Sequence, residues 1–313
     1  MRLFLKNKIL SVFTADNRRL APVVHMKTTE YFRKTKRSLS FLPLAVFTLV
    51  FVLGPLLYML AVSFMKRRIP WGMEEVFTWE NYRQLFEPVY LQIFSESIKL
   101  AFITTFFVII LGYPFGFFMA RLPARWRGRV MLLVIIPFWT STLMRLYGWI
   151  IVFRANGILD AVLMKLHITN EPLRLLYTYP AVVTGMIYAL MPFMIYSVFV
   201  SAEKLDVSLV EAARIMGANR IQAFLTVSLP LTMPGLFSGV ILTFIPSMGL
   251  YFIADILGGN KVILAGNLIR DQLLNVRNWP FAAAISVTLM ILTSLFLYLY
   301  RLVTKSEKIE GLV

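Results

Sequence analysis

Residues 100–120 read LAFITTFFVIILGYPFGFFMA, 21 consecutive positions without a charge. A hydrocarbon core about 30 Å thick takes about 20 helical residues to cross, so this segment is long enough to span a bilayer once. Backbone N–H and C=O groups find no partner in lipid, and a run of this length satisfies them internally as a helix. Five further stretches have the same character: residues 38–65, 130–153 with one interruption at Arg145, 175–202, 221–254 and 278–300. The pattern predicts an all-α integral membrane protein with six transmembrane helices.

Composition agrees and excludes several chemistries. Hydrophobic residues make up 58% of the 313-residue chain and charged residues 15%, against about 45–50% and about 25% in soluble proteins. There is no cysteine, which removes disulfide frameworks, thiolate metal sites and cysteine nucleophiles. Only His25 and His167 are left as imidazole ligands, so no metal site is expected. The net charge of +16 would suggest nucleic acid, but the basic residues flank the apolar runs, and no nucleic-acid partner is expected.

Lys and Arg accumulate in cytoplasmic loops of membrane proteins. Here 20 of them fall on one side of the six runs and 11 on the other, with Arg145 inside a run. The richer side is assigned to the cytoplasm, which places both termini there. Residues 1–39 form a basic cytoplasmic N-terminal arm suited to anionic headgroups. Residues 40–313 form the membrane domain, with a core at about 92–300. The external stretch 66–99 mixes basic and acidic residues and is expected to be a solvated, short-helical connection.

The chain lacks a G-x-x-x-x-G-K-[ST] phosphate loop, a G-x-S-x-G nucleophile elbow and an H-E-x-x-H zinc helix. Carboxylates are nearly absent from the apolar runs, whereas ion-coupled carriers usually bury them near the midplane. A transporter built this way takes its energy from a partner.

The loop at about 203–230 carries the most information. It reads EKLDVSLVEAARIMGANR from Glu203 to Arg220 and continues to Val227-Ser228-Leu229-Pro230. Ser208 and Glu211 have capping-box spacing, so a helix is expected to start near Ser208 and to stop where Gly217 permits a left-handed turn. A second short helix then leads to Pro230. The Ala212-Ala213 pair gives the first helix a shallow face that another protein can approach closely.

Glu211-Ala212-Ala213, Gly217 after three intervening residues, and Leu229-Pro230 after a further gap resemble the EAA loop of binding-protein-dependent ABC importer permeases. Val227 stands where that family usually has isoleucine. The resemblance implies the type I importer permease fold, with the loop docking in a cleft of a separate ATPase subunit. ATP and Mg then reside on that subunit, and this chain binds no cofactor. It also implies a homologous second permease, two ATP-binding subunits, a periplasmic or lipid-anchored substrate-binding protein, and a multi-pass location in the bacterial inner membrane, among its lipid. On this reading the chain is not itself an enzyme.

Further stretches, including Pro137-Phe138-Trp139-Thr140, Arg145-Leu146-Tyr147-Gly148, Leu190-Met191-Pro192-Phe193, Met248-Gly249-Leu250-Tyr251 and Asn278-Trp279-Pro280-Phe281, look like permeases of spermidine/putrescine importers. That likeness implies a polyamine cargo, with opines, phosphonates or thiamine as alternatives within the wider family. A lone secondary carrier or a scaffolding subunit would leave the loop unexplained. Polycations call for carboxylates and aromatic faces, and Asp255 with Tyr251, Trp139 and Tyr147 are the candidates. Asp255 has a second reading as the ion-pair partner of Arg145, and the aromatic residues have one as interfacial anchors. Two Gly-x-x-x-Gly pairs, Gly112 with Gly116 and Gly235 with Gly239, read as close helix packing.

Overall fold

The computed structural model describes residues 43–69 and 72–310, with side chains described through Leu302. The arm predicted for residues 1–39 lies outside them. Among the described residues, six helical segments are long and apolar enough to cross a membrane: Pro43–Ser63, Pro88–Arg121, Thr142–Lys165, Tyr179–Glu203, Arg220–Gly249 and Trp279–Leu302, here called the first to sixth spans. The described residues fall into two compact units that divide between Ala61 and Val62.

In the first unit the apolar helix contains a π-helical turn, Thr48–Leu53, where the Gly54 N–H reaches back to the Leu49 carbonyl. Pro55 follows and has no N–H to offer, so the wider turn falls next to a position where a regular ladder would already be broken.

In the second unit the fourth span packs against both the second and the fifth, which also touch each other. Small residues allow this. A Cβ on Gly116 would lie 2.7 Å from the Ile195 carbonyl oxygen, and one on Gly235 would lie 2.6 Å from that of Ser197. Both glycine pairs therefore mark helix crossings, as their spacing predicts. Between the crossings, Val108, Tyr113, Met194 and Val198 are buried together with flanking Phe224, Leu229 and Leu236.

Three sequence expectations need correction. The run 130–153 is not one helix: a helix Ala124–Ile135 is followed by a 3-10 turn, Ile136–Trp139, and a new helix, Thr142–Phe153. Pro137 lies in that turn, and Thr140 adopts an extended backbone. Arg145 sits in the first turn of the new helix, its guanidinium 4.7 Å from the Phe138 ring centre and 5.7 Å from that of Tyr188. The charge that interrupts the apolar run thus stands beside a break in the helix.

The fifth span ends at Gly249, and Tyr251–Gly258 is a separate helix. The stretch 66–99 is also more than short helices. Met65–Arg67 and Met73–Phe77 pair antiparallel as a hairpin, a minor exception to an otherwise all-α fold. Gly72 has φ +111°, a conformation that L side chains rarely adopt. Phe64, Phe77, Trp79 and Tyr82 close ring to ring over the hairpin base. The buried Asn81 amide donates to the Ser63 and Met65 carbonyls, each at 2.9 Å. Strands of three and five residues are too short for alternation to announce.

Candidate functional site

The loop between the fourth and fifth spans folds into two capped turns. Its first helix is Val207–Ile215, and the N-cap is Asp206 rather than Ser208. The Asp206 carboxylate accepts the Ser208 N–H at 2.9 Å, satisfying one of the orphan donors at a helix start. Hydrogen bonds from the Ser208 backbone and side chain hold the Asp206 carboxyl below the usual carboxylate range. Aspartate outcompetes serine here because it stands one position before the first helical residue, where its side chain can turn back on the N–H groups.

The end of that helix depends on Gly217, whose φ is +97°. The Ala218 N–H returns to the Ala213 carbonyl at 3.0 Å and the Gly217 N–H to that of Arg214 at 3.1 Å, the paired bonds of a Schellman closure. Nothing lies within 4 Å of where a Gly217 Cβ would be, so backbone conformation and not space selects glycine. Asn219 and Gln222 then form a reciprocal capping box with bonds of 2.8 and 2.9 Å. The next helix, Arg220–Ala223, widens into a π turn at Phe224–Ser228 before Leu229 and Pro230 open the apolar part of the fifth span.

The loop presents a mixed surface. Glu211, Arg214, Ile215, Ala218, Asn219 and Arg220 line an open recess of about 670 Å³. Ala212 faces outward, whereas Ala213 is buried, so only one of the two alanines forms the shallow face expected of both. Three large apolar side chains missed by sequence reasoning project here: Ile215 at 87% exposure, Met216 at 81% and Ile221 at 71%. Their signal was present, since apolar residues in an otherwise polar loop have no core of their own to fill.

The second group of candidates lies beyond the other end of the fifth span. Asp255 does not pair with Arg145. Its carboxylate accepts from the Arg270 guanidinium and from the Asn267 amide, while Arg145 donates to Thr142 Oγ1 at 2.9 Å. Arg270 also donates to Asp271 at 2.8 Å and stands 5.6 Å from the Tyr251 ring centre. Tyr147 and Asp255 share a recess of about 400 Å³ with Tyr177, Asn260 and Lys261. Tyr251 lines a neighbouring recess of about 320 Å³ beside Arg270 and Leu289. Trp139 lines neither of these recesses and is 80% exposed in its 3-10 turn. Arg270, Asn267 and Asp271 were not singled out from the sequence, because their meeting with Asp255 depends on the short helix Ala265–Arg270 folding back on Tyr251–Gly258.

Six apolar helices and a capped, exposed loop ahead of the fifth define a membrane permease component. Solved structures share the fold. A bacterial ABC transporter involved in the import of the acidic polysaccharide alginate matches with a TM-score of 0.66 at 14% identity, covering 88% of this chain and 96% of that one. The MetNI methionine ABC transporter in inward-facing conformations matches with a TM-score of 0.53 at 20% identity, covering 71% and 99%. Residues 112–308 match the family described as binding-protein-dependent transport system inner membrane component. The spermidine/putrescine transport system permease protein PotB of Escherichia coli K12 is 41% identical over 265 residues, 83% of this chain and 96% of its own. The PotB protein of Haemophilus influenzae is 42% identical over 262 residues, 83% and 92%. This chain belongs to the binding-protein-dependent transport system inner membrane component family, and it is a multi-pass inner-membrane protein.

Proposed function

We propose that this chain is one permease subunit of an ATP-driven, binding-protein-dependent importer of polyamines of the spermidine/putrescine kind. The likeness to PotB proteins over more than four-fifths of the chain is the observation that carries the cargo class. The subunit pairs with a homologous second permease and with two copies of a separate ATPase, which hold ATP and Mg. Both termini lie in the cytoplasm.

The mechanism follows from the loop. Glu211, Ala212, Ala213 and Gly217 form a rigid unit closed at both ends by hydrogen bonds, and Leu229 and Pro230 join it to the fifth span. Ile215, Met216 and Ile221 seat in the ATPase. Closure of the ATPase on ATP moves this unit, and the fifth span moves with it, opening a cavity between the two permeases toward the binding protein. Hydrolysis resets it inward. At the far end the cluster of Asp255, Arg270 and Asp271, with one net negative charge, and the rings of Tyr147 and Tyr251 attract ammonium groups by charge and by the ring quadrupole.

The test is uptake of labelled spermidine in cells lacking this chain and in the same cells with it restored, with putrescine and an opine as competitors. ATP-dependent recovery that putrescine suppresses and the opine does not is expected. Unchanged uptake would overturn the cargo assignment.

A further inference from the structure

The helix Ala124–Ile135 has two faces of different chemistry. One face holds it to the protein. Val130, Met131 and Val134 pack on the cluster of Met119, Ala120, Ile195, Phe199 and Ala202. Arg127 donates to the Leu122 carbonyl at 2.7 Å and to Glu203 at 3.3 Å. These positions are spaced as one helical face. The bond to Glu203 sets the start of the helix beside the end of the fourth span, at the level of the coupling loop.

The opposite face consists of Arg125, Gly128, Arg129, Leu132 and Leu133, continued by Ile136 at the start of the 3-10 turn, again at spacings of three and four, and every one of them is exposed. Its character changes along the axis. The first turns carry two arginines, and Trp126 is exposed beside them with the Arg129 guanidinium 5.2 Å from its ring centre. The last turns are purely apolar. From Arg125 to Ile136 the stripe is about 16 Å long at about 1.5 Å per residue. Among the described residues neither Arg125 nor Arg129 makes an ion pair. Gly128 leaves a notch between them, with nothing within 4 Å of where its Cβ would stand.

We propose that this face is a binding site for one anionic phospholipid of the cytoplasmic leaflet. Arg125 and Arg129, one turn apart, take the phosphate, since guanidinium groups match its oxygens in pairs. Trp126 lies at headgroup depth, where indole rings concentrate. An acyl chain runs past Gly128 along Leu132, Leu133 and Ile136. The order along the helix, two arginines with an indole between them and then an aliphatic stretch, is that of a phospholipid entered from its headgroup. A protein partner would not need that order. The lipid holds the helix that braces the fourth span just before the coupling loop.

The experiment uses the assembled transporter, purified from its native-like membrane and examined by native mass spectrometry for retained lipid. Wild type is expected to keep phosphatidylglycerol in preference to phosphatidylethanolamine. The double variant Arg125→Gln and Arg129→Gln should lose that preference, by about fivefold for each arginine removed, while Arg127 and the assembly stay intact. Equal preference in both proteins would overturn the site. A photo-crosslinking residue in place of Leu133 should label lipid, and a product with another subunit would overturn it in favour of a protein interface. Both readouts are independent of cargo, so a wrong polyamine assignment would leave them unchanged.

Discussion

The hydroxyl of Tyr113, on the second span, lies 2.7 Å from that of Thr232, on the fifth, in a buried setting. Thr232 has one proton, and it points to the Ser228 carbonyl at 2.8 Å, so Tyr113 is the donor. The pair sits four residues into the apolar part of the fifth span, directly after the π turn, where Phe224 packs edge to face on Phe117 at 5.5 Å. It is a polar link between the base of the fifth span and its neighbour.

The direction of that bond makes the two truncations unequal. Tyr113→Phe removes the donor and leaves Thr232 bonded to Ser228, costing about 0.5–1.5 kcal/mol. Thr232→Val strands a buried phenol and costs about 1–3 kcal/mol. The double variant should be more stable than Thr232→Val alone. Thermal unfolding in detergent of the four proteins closes the cycle, and an additive result would contradict the bond.

Gly217 is chosen for its backbone. With φ at +97° and open space around it, Gly217→Ala suffers conformational strain of about 1–2 kcal/mol without a clash, and Gly217→Asn should be tolerated better. Gly217→Glu adds bulk and charge at the turn that closes the coupling helix. Uptake is expected to be abolished while membrane insertion is normal. Wild-type uptake by Gly217→Glu would remove the coupling role from this turn.

The spans were legible because burial in lipid imposes length and apolarity together, and residues 100–120 leave no other reading. The loop was legible because Gly217 and its neighbours repeat a spacing tied to one fold. What escaped was set by tertiary contacts. The break before Thr142 has a signal in Pro137, but the seat of Arg145 beside the rings of Phe138 and Tyr188 is set by contacts that sequence distance does not reveal. Asp255 could be seen as needing a partner, but the choice of Arg270 over Arg145 was made by the fold-back of residues 265–270. The N-cap moved from Ser208 to Asp206 because both residues suit a cap, and only backbone geometry separates them.

The Asp206 cap has a defined pH range. Its folded-state value is depressed by the Ser208 donors, so its contribution is fully present above the unfolded value of about 3.9 and is lost as pH falls through the folded value. Hydrogen-exchange protection of residues 207–216 should therefore be flat between about pH 5 and pH 8. Asp206→Ala should lower it at neutral pH, and Asp206→Asn, also an effective cap, should retain most of it. A marked loss of wild-type protection at pH 5 would show that another group controls the helix start.

Asp255, Arg270 and Asp271 carry one positive and two negative charges in a chain of hydrogen bonds. Removing Asp255 turns a cluster of net charge minus one into the neutral pair of Arg270 and Asp271. Removing Arg270 leaves Asp255, a carboxylate only 22% exposed, with the Asn267 amide as its remaining described donor. A partly buried charge deprived of its counter-ion is costly, whereas loss of one of two partners is not. Arg270→Gln should therefore destabilise the protein by about 1–3 kcal/mol more than Asp255→Asn, read as a lower unfolding temperature. Asp255→Asn should keep a near-normal transition and show its defect in spermidine uptake. If the two variants unfold together, Arg270 is not what neutralises Asp255.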